Sequence, residues 1–342
     1  MSNTRSLTSG HSSVIHDVAR WLGIGAGEGE GKGGGAGERE RVWLCTIVET
    51  WGSSPRPVGS WLAVSESGRW SGSVSGGCLE EDLLRRTASD GPAQPVLIDY
   101  GITDDDRDNF QLPCGGRIRL LVEPLQSAEA AEHVAALASA LDRREPVLRR
   151  VRLDAPPELE PAVGQPGSSV NFDGECLEQV LQPECRLLLI GAGEVARYVA
   201  EFAGAADFDV TICEPRDAFA EGWGYPHIPL NRKLPDDLVA QHFADPWSGV
   251  LALAHDPRID DMGLLAALTT PAFYVGAMGS QKTSDARRAR LASLGLDQQA
   301  LDRLRAPIGV SIPSKTPAEI AISVVADLIA ARHHLRAASP SL

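Results

Sequence analysis

The sequence predicts an α/β protein of two domains: an N-terminal mixed α/β domain and a C-terminal Rossmann-like domain with a parallel sheet. Three observations lead to this prediction. The chain has 342 residues, about twice the length of a typical domain. Its first half is rich in apolar strand patterns. Its second half alternates strand and helix patterns, which is typical of an open parallel sheet.

The first half begins with a helical pattern in residues 13–22, where Ser12 and Ser13 suit the N-cap. Residues 23–41 are almost entirely Gly, Glu and Ala. We predict a flexible loop there, because glycine loses the most conformational entropy on folding. The remaining patterns predict strands at 42–49, 60–66, 70–75, 95–101, 117–124 and 147–154 and helices at about 79–89 and 127–143. The strands before residue 125 are expected to form a mixed sheet.

Residues 155–183 are rich in Pro, Gly and Ser, and we interpret them as a linker or a solvent-exposed hairpin. The expected domains are therefore 1–154 and 185–335, joined by a linker at 155–184. In the second domain the patterns predict strands at 186–191, 209–215, 249–256 and 272–279 and helices at 194–205, 262–270 and 317–334.

The net charge, the apolar segments and the cysteines limit which partners and which cellular location we expect. The formal net charge of −14 repels phosphate backbones and anionic lipid, so we expect neither a nucleic acid nor a membrane as partner. No apolar run is long enough for a membrane span, and the first residues lack the apolar core of a secretion signal. The six cysteines are scattered without a C-x-x-C pair. This favours reduced thiols and a cytoplasmic location over a disulfide framework or a zinc knuckle.

A dinucleotide-binding fingerprint opens the second domain. Gly191, Gly193 and Ala196 fit G-x-G-x-x-A between an apolar strand and a helix, where the glycines allow a tight turn and close approach of a pyrophosphate. Glu214 ends the next strand, where an acid commonly binds a ribose hydroxyl, and Arg216 could instead accept a phosphate. NAD(P) or another nucleotide is thus a candidate ligand, although such a domain can also serve as scaffold.

Further loops are expected at the same carboxyl edge of the parallel sheet. One contains His255 and Asp256. Another contains Gly276, Gly279 and Ser280, whose glycines would suit a phosphate. A strand-end turn without a ligand is the alternative for both.

Two cysteines stand beside paired glycines in the first domain. These motifs contain the residues Gly76, Gly77 and Cys78, and Cys114, Gly115 and Gly116. Cys78 precedes a predicted helix, whose dipole would lower the thiol pKa, and the glycines would let a bulky ligand reach each sulfur. Two thiols without other ligands nearby suit soft-metal or sulfur chemistry. Structural glycine turns remain an alternative, and so does a redox-sensing dithiol if the two cysteines are close enough for a disulfide.

The loop between the first two predicted strands, residues 49–59, contains Arg56 among serines, prolines and glycines. Its hydroxyl groups, backbone and guanidinium could form a cradle for an anion. A rigid Pro-Gly turn is the alternative.

Seven segments together resemble the XdhC/CoxI family of xanthine dehydrogenase accessory proteins. They are ETWGSSPRPVGSWLAV, GSVSGGCLEEDLL, PCGG, LLLIGAGEVA, EPRD, YVGAMGS and PIGVSIPSKTPAEIAISVVADLIA. They follow the family's order within residues 42–124 and 185–333, which is most of the chain.

The resemblance implies a maturation factor, a chaperone rather than an enzyme. Such a factor binds molybdenum cofactor (the molybdopterin type), promotes its terminal sulfuration and passes it to a xanthine-dehydrogenase-like apoenzyme. Cys78 and Cys114 match the family's cysteine positions and are the candidate molybdenum contacts. This role also implies a cysteine desulfurase as partner, and we expect a homodimer.

The chain departs from the family at two places. Glu194 stands after the Rossmann glycines where the family commonly has His, which alters the charge near a bound phosphate. The glycine-rich insertion at 23–41 is peculiar to this chain. The rival hypothesis is an NAD(P)-dependent oxidoreductase or a dinucleotide sensor that uses Gly191, Gly193 and Glu214.

Overall fold

The structure is a computed structural model that describes residues 10–24, 40–52, 54, 56–77, 79–101, 117–162 and 169–337. Two compact units divide the chain, residues 1–183 and residues 184–338. The glycine-rich segment 25–39 and the motif residues Cys78, Cys114, Gly115 and Gly116 lie outside the described residues.

A five-stranded sheet is the centre of the first unit. Its strands are β1 (Val42–Trp51), β2 (Trp61–Ser65), β3 (Trp70–Gly72), β4 (Val96–Tyr100) and β5 (Arg117–Pro124). They lie in the order β3-β2-β1-β5-β4. Every pair is antiparallel, so the predicted mixed sheet is wrong in this respect. Between β2 and β3, for example, only residues 66–69 are available, too few for the long crossover that a parallel pair needs.

Helices cover both faces of this sheet. They are α1 (His11–Trp21), α2 (Glu80–Asp90) and α3 (Ala128–Asp142). Leu44 on β1 packs in a cluster with residues of α1 and α3. Cys45, the next residue, packs on the opposite face with Leu79 and Leu83 at α2. Because both faces of β1 are buried, the strand appears in the sequence as an uninterrupted apolar run.

A four-stranded antiparallel sheet occupies the segment that we interpreted as a linker or an exposed hairpin. Its strands are β6 (Val147–Arg152), β7 (Glu158–Pro161), β8 (Val170–Phe172) and β9 (Cys176–Leu181), in the order β7-β6-β9-β8. Val151 and Leu177 bury their side chains in a cluster with Leu121 of β5. Residues 155–183 therefore belong to the first unit, and the interpretation as a linker is wrong, while β8 and β9 do form a hairpin. Turn residues dominate the composition there because the strands are short.

The second unit has a six-stranded parallel sheet in the order β12-β11-β10-β13-β14-β15. Its strands are β10 (Arg186–Ile190), β11 (Asp209–Cys213), β12 (Leu230–Asn231), β13 (Ser248–Ala252), β14 (Tyr274–Ala277) and β15 (Leu304–Arg305). This is the Rossmann strand order, so the predicted fold of this half is confirmed. The order reverses between β10 and β13, and ligands of such sheets bind at that point.

Seven helices are described in the second unit. They are α4 (Glu194–Ala205), α5 (Asp217–Ala220), α6 (Pro235–His242), α7 (Pro257–Leu268), α8 (Gln281–Ser293), α9 (Gln298–Asp302) and α10 (Pro317–Ala337). Helices α4 and α10 share one core cluster, to which Ala196 and Val199 contribute from α4 and Ala321 and Leu328 from α10. None of the helices in the described part of the chain is long and apolar enough to cross a membrane.

Candidate functional site

The end of β1, the end of β4 and the start of β5 lie together at one end of the five-stranded sheet, the loop edge. Trp51 pairs with Arg117, so β1 ends where β5 begins. Tyr100, the last residue of β4, pairs with Ile118. The segment 102–116, which contains Cys114, therefore connects β4 to β5 at this edge.

The first turn of α2, which follows Cys78 in the chain, contacts the same edge. The Tyr100 hydroxyl donates to Asp82 Oδ2 at 2.8 Å, and Arg86 Nε donates to the same oxygen at 2.6 Å. Burial, together with the hydrogen bond to Asp82, raises the pKa of Tyr100 above its usual range. This buried hydrogen bond joins α2, which follows Cys78, to β4, which precedes the segment with Cys114.

Glu80 organises the loop before α2. Its carboxylate accepts from Ser73 Oγ at 2.7 Å, from the Val74 and Ser75 N–H groups at 3.0 Å and from the Gly77 N–H at 2.9 Å. The Ser75 hydroxyl donates a further, short bond. Burial opposes ionisation, but the hydrogen bonds from Ser75 and Ser73 outweigh it and lower the pKa of Glu80 to about 2.

The two glycines of this loop adopt backbone conformations that other residues rarely reach. Gly76 has φ 80° and Gly77 has φ 130°. Both are exposed, and a Cβ at Gly77 would meet no atom within 4 Å. The glycine at position 77 is therefore required by backbone conformation and not by a close neighbour.

The loop amides are already used inside the loop. The Gly76 N–H donates to Ser73 Oγ at 3.0 Å, and the Leu79 N–H donates to Ser75 Oγ at 2.8 Å. The Glu80 carboxylate accepts hydrogen bonds from the N–H groups of residues 74, 75 and 77. These amides are not free to bind a ligand anion.

An arginine pair lies beside Trp51 at the edge. Arg119 donates to Asp99 at 2.8 and 3.1 Å and to Glu49 at 2.8 Å. The Arg117 guanidinium stacks on the Trp51 ring with Cζ 4.5 Å from the ring centroid. Arg117 has no carboxylate partner among the described residues, and its buried Nε has no hydrogen-bond acceptor.

Arg56 is half-buried in the loop between β1 and β2. The Ser54 hydroxyl donates to the Arg56 carbonyl at 2.7 Å and accepts from the Arg56 N–H at 3.4 Å, which closes a tight turn. Within the described residues the Arg56 guanidinium has no hydrogen-bond partner. It therefore contributes a positive charge that can serve an anion.

In the second unit the fingerprint loop lies at the point where the strand order reverses. Gly191 has φ 104°, and a Cβ there would lie 2.6 Å from Ala254 Cα. Gly193 precedes α4 with open space around it, and Ala196 is buried against the core. Glu194, the first residue of α4, is exposed. This is the strand–turn–helix context that the fingerprint requires.

Glu214 at the end of β11 does not present its carboxylate to a ligand. The side chain is fully buried, and it accepts from Arg216 Nε at 2.8 Å, Arg216 Nη2 at 2.7 Å and the Ala192 N–H at 3.1 Å. Burial raises and the Arg216 hydrogen bonds lower the pKa of Glu214, with a net decrease. Arg216 also approaches Asp256 at 3.8 Å.

The glycine-serine loop after β14 has mixed roles. Gly276 lies within β14, and a Cβ there would lie 2.7 Å from the Ile308 side chain, so this glycine serves packing. Gly279 has φ 156° and precedes Ser280, whose hydroxyl caps α8 by accepting from the Thr283 N–H at 3.2 Å. β13 ends at Ala252, earlier than the pattern predicted, and His255 lies in the following turn with φ 56°.

Sequence reasoning missed a buried charge network beneath this edge. Arg287 of α8 donates to Asp260 and Asp261 of α7 at 3.1 Å each and to the Met278 carbonyl at 3.1 Å. Asp260 also accepts from the Ala254 N–H at 3.1 Å. Burial raises the pKa of Asp260 to about 6, against the effect of Arg287. The adjacent acids in an otherwise apolar helix pattern were the available signal.

Glu80 was also missed by sequence reasoning. Its signal was a carboxylate at the start of a helix, where acids are favoured, with serines shortly before it. The part of the chain that the structure describes contains no group of three or more His, Cys, Asp or Glu side chains that could hold a metal ion.

Two family models match the chain. The model described as "XdhC Rossmann domain" matches residues 187–328, and the one described as "XdhC and CoxI family" matches residues 36–101. The first match covers the parallel sheet, and the second covers the strands and loops that lead to Cys78.

Two relatives match over most of their length. The chain is 30% identical over 295 residues to the molybdenum cofactor insertion chaperone PaoD of Escherichia coli K12, covering 85% of this chain and 83% of PaoD. It is 24% identical over 319 residues to a probable xanthine dehydrogenase subunit of Bacillus subtilis 168, covering 86% of this chain and 94% of that protein.

A solved structure shares the fold. It is described as a xanthine dehydrogenase from Bacillus halodurans. It superposes with a TM-score of 0.71 at 24% identity and covers 96% of this chain and 98% of that one.

Proposed function

The chain belongs to the XdhC and CoxI family, and from this premise we propose that it is an accessory chaperone that binds molybdenum cofactor. It passes the cofactor to a xanthine-dehydrogenase-type molybdenum hydroxylase and has no chemical turnover of its own. The relative PaoD, whose name states this insertion role, supports the proposal.

One observation links the proposed function to particular residues. The Tyr100–Asp82 hydrogen bond joins the helix after Cys78 to the strand before the segment with Cys114, at one edge of the first unit. Glu80 fixes the loop up to Gly77 in a single arrangement. Cys78 and Cys114, with Gly115 and Gly116, are the proposed contacts to the molybdenum end of the cofactor.

The chemistry of this edge fits an anionic cargo with a soft metal. The Arg56 guanidinium has no acidic partner among the described residues, and the loop amides are occupied, so Arg56 is the proposed partner of the cofactor phosphate. Thiolates suit a soft metal better than the oxygen ligands that hard cations prefer. The exposed Gly76 and Gly77 leave room for a bulky ligand next to the thiol position.

The proposal includes three further parts. The protein supports terminal sulfuration of the cofactor, for which a cysteine desulfurase is the sulfur donor. The acceptor is a xanthine-dehydrogenase-like apoenzyme. The chaperone acts as a homodimer.

The test is the pterin content of protein purified from cells that make the cofactor, measured as fluorescence after oxidation. We expect wild type to carry pterin. Cys78→Ser and Cys114→Ser should carry roughly ten-fold less, since the loss of about 1.4 kcal/mol of binding free energy has that effect. Cys176→Ser is the matched control, because Cys176 is a partly buried cysteine of β9 that belongs to neither Gly-Cys motif. Equal and near-zero pterin in wild type and Cys78→Ser would contradict the proposal.

A second candidate function is an NAD(P)-dependent oxidoreductase or dinucleotide sensor. The Rossmann strand order and the close approach of Gly191 to Ala254 favour a nucleotide at this edge. The hydrogen bonds from Arg216 to both oxygens of Glu214 count against the usual use of this acid on a ribose. We therefore rank the chaperone first and regard the second unit mainly as scaffold.

A further inference from the structure

Trp51 exposes a large aromatic surface at the end of β1. The residue is 39% exposed. Arg117 is directly opposite in the register and covers part of the indole, with Cζ 4.5 Å from the ring centroid. Such a ring offers its remaining planar surface to a ligand, and stacking on it depends on flat shape and not on hydrogen-bond pattern.

The charge next to this ring is positive, and part of it has no acidic partner among the described residues. Glu49 and Asp99 both pair with Arg119, whose Cζ lies 5.6 Å from the ring centroid. Arg117 has no such partner among the described residues, and its Nε lacks an acceptor. In a chain of net charge −14, an arginine without a counter-ion beside an exposed indole favours an anionic, planar ligand.

We propose that Trp51 and Arg117 form the subsite for the pterin ring of the cofactor, an inference that rests on the proposed function. The planar pterin stacks on the indole of Trp51. The Arg117 guanidinium stacks on the indole and supplies positive charge for the anionic groups that the pterin carries.

The position of the pair agrees with this assignment. Arg117 begins β5, shortly after Cys114 in the chain, and Trp51 precedes the loop that contains Arg56. The ring subsite therefore adjoins, along the chain, both the proposed metal contact and the proposed phosphate contact. A phosphate group alone would gain nothing from stacking on the indole. We therefore assign the pterin ring, and not the phosphate, to this pair.

The test is an anaerobic titration of the full-length protein with metal-free molybdopterin. Trp51→Ala should weaken the Kd by roughly five- to 150-fold, since stacking of one base on an aromatic side chain is worth on the order of 1–3 kcal/mol. Trp51→Phe keeps a ring and should stay close to wild type. Arg117→Met should weaken the Kd and reduce its dependence on salt.

Trp70→Ala is the matched control. Trp70 is also an exposed tryptophan of the same sheet, but it lies at the start of β3 and should leave the Kd unchanged. A wild-type Kd for Trp51→Ala, with its unfolding curve unaltered, would overturn the subsite and leave the chaperone proposal standing. Failure of the wild-type protein to bind molybdopterin at all would overturn the proposed function itself.

Discussion

Glu80 is the residue on which the Gly-Gly-Cys loop depends. It stabilises the loop most strongly as a carboxylate, because its hydrogen bonds come from N–H and O–H donors to both oxygens. Its folded pKa of about 2 lies below the ordinary glutamate value of 4.5. A depressed carboxyl pKa contributes stability that is fully present above the unfolded pKa and is lost as the pH falls through the folded pKa.

We therefore expect Glu80→Gln to lower the free energy of unfolding by roughly 2 to 3 kcal/mol at pH 7. The difference from wild type should shrink as the pH falls from about 4.5 towards 2. Urea unfolding at a series of pH values measures this. Glu81→Gln, an exposed neighbour on the same helix turn, is the control and should cost little. A difference that does not vary with pH would disprove the role of the charge.

The loop at residues 73–79 was predictable from sequence only in part. The paired glycines predicted a special backbone, which φ 80° and φ 130° agree with. The backbone amides of residues 74–77 and 79 are bonded to Glu80 and the serines. The sequence cannot reveal these hydrogen bonds, because they depend on how the Glu80 side chain of α2 is oriented towards the preceding loop.

At the scale of elements, long apolar segments were predicted well and short polar ones were not. Strands β1 and β5 and helix α4 lie within a residue or two of their predicted bounds, since burial of both faces gives strong patterns. Helix α8 has several arginines and few apolar residues, so its pattern is weak, and it is held by Arg287 instead. Strands β7 and β8 are too short to show alternation.

The Glu214–Arg216 pair decides what the fingerprint element can bind. Because Arg216 occupies both carboxylate oxygens, we expect calorimetric titration with NAD, NADH, NADP and NADPH to give Kd values weaker than roughly 100 μM, within the weaker part of the usual range for enzyme substrates. Arg216→Met should strengthen NAD binding by freeing the Glu214 carboxylate. Arg258→Met should leave NAD binding unchanged, because Arg258 pairs with Asp256 and not with Glu214 among the described residues. Tight NAD(P) binding by wild type would favour the oxidoreductase or sensor.

At the scale of the whole molecule, the charge is distributed unevenly. The net charge of −14 repels anions in general, while Arg56 and Arg117 lack acidic partners within the described residues. Such arginines can attract an anionic ligand locally even in an acidic chain. Composition alone gave the net charge and the two-domain prediction. It could not give the location of the arginines, because pairing with Glu49 or Asp99 distinguishes Arg119 from Arg117 only in three dimensions.

Transfer of cofactor to an acceptor tests the chaperone role most directly. Protein loaded with molybdenum cofactor is mixed with a cofactor-free xanthine-dehydrogenase-type hydroxylase in air, and the recovered hydroxylase activity is compared with that from the same amount of free cofactor. We expect several times more activity from the loaded chaperone, and little from protein with Cys78→Ser. Equal recovery from free cofactor and from the loaded protein would contradict the chaperone role.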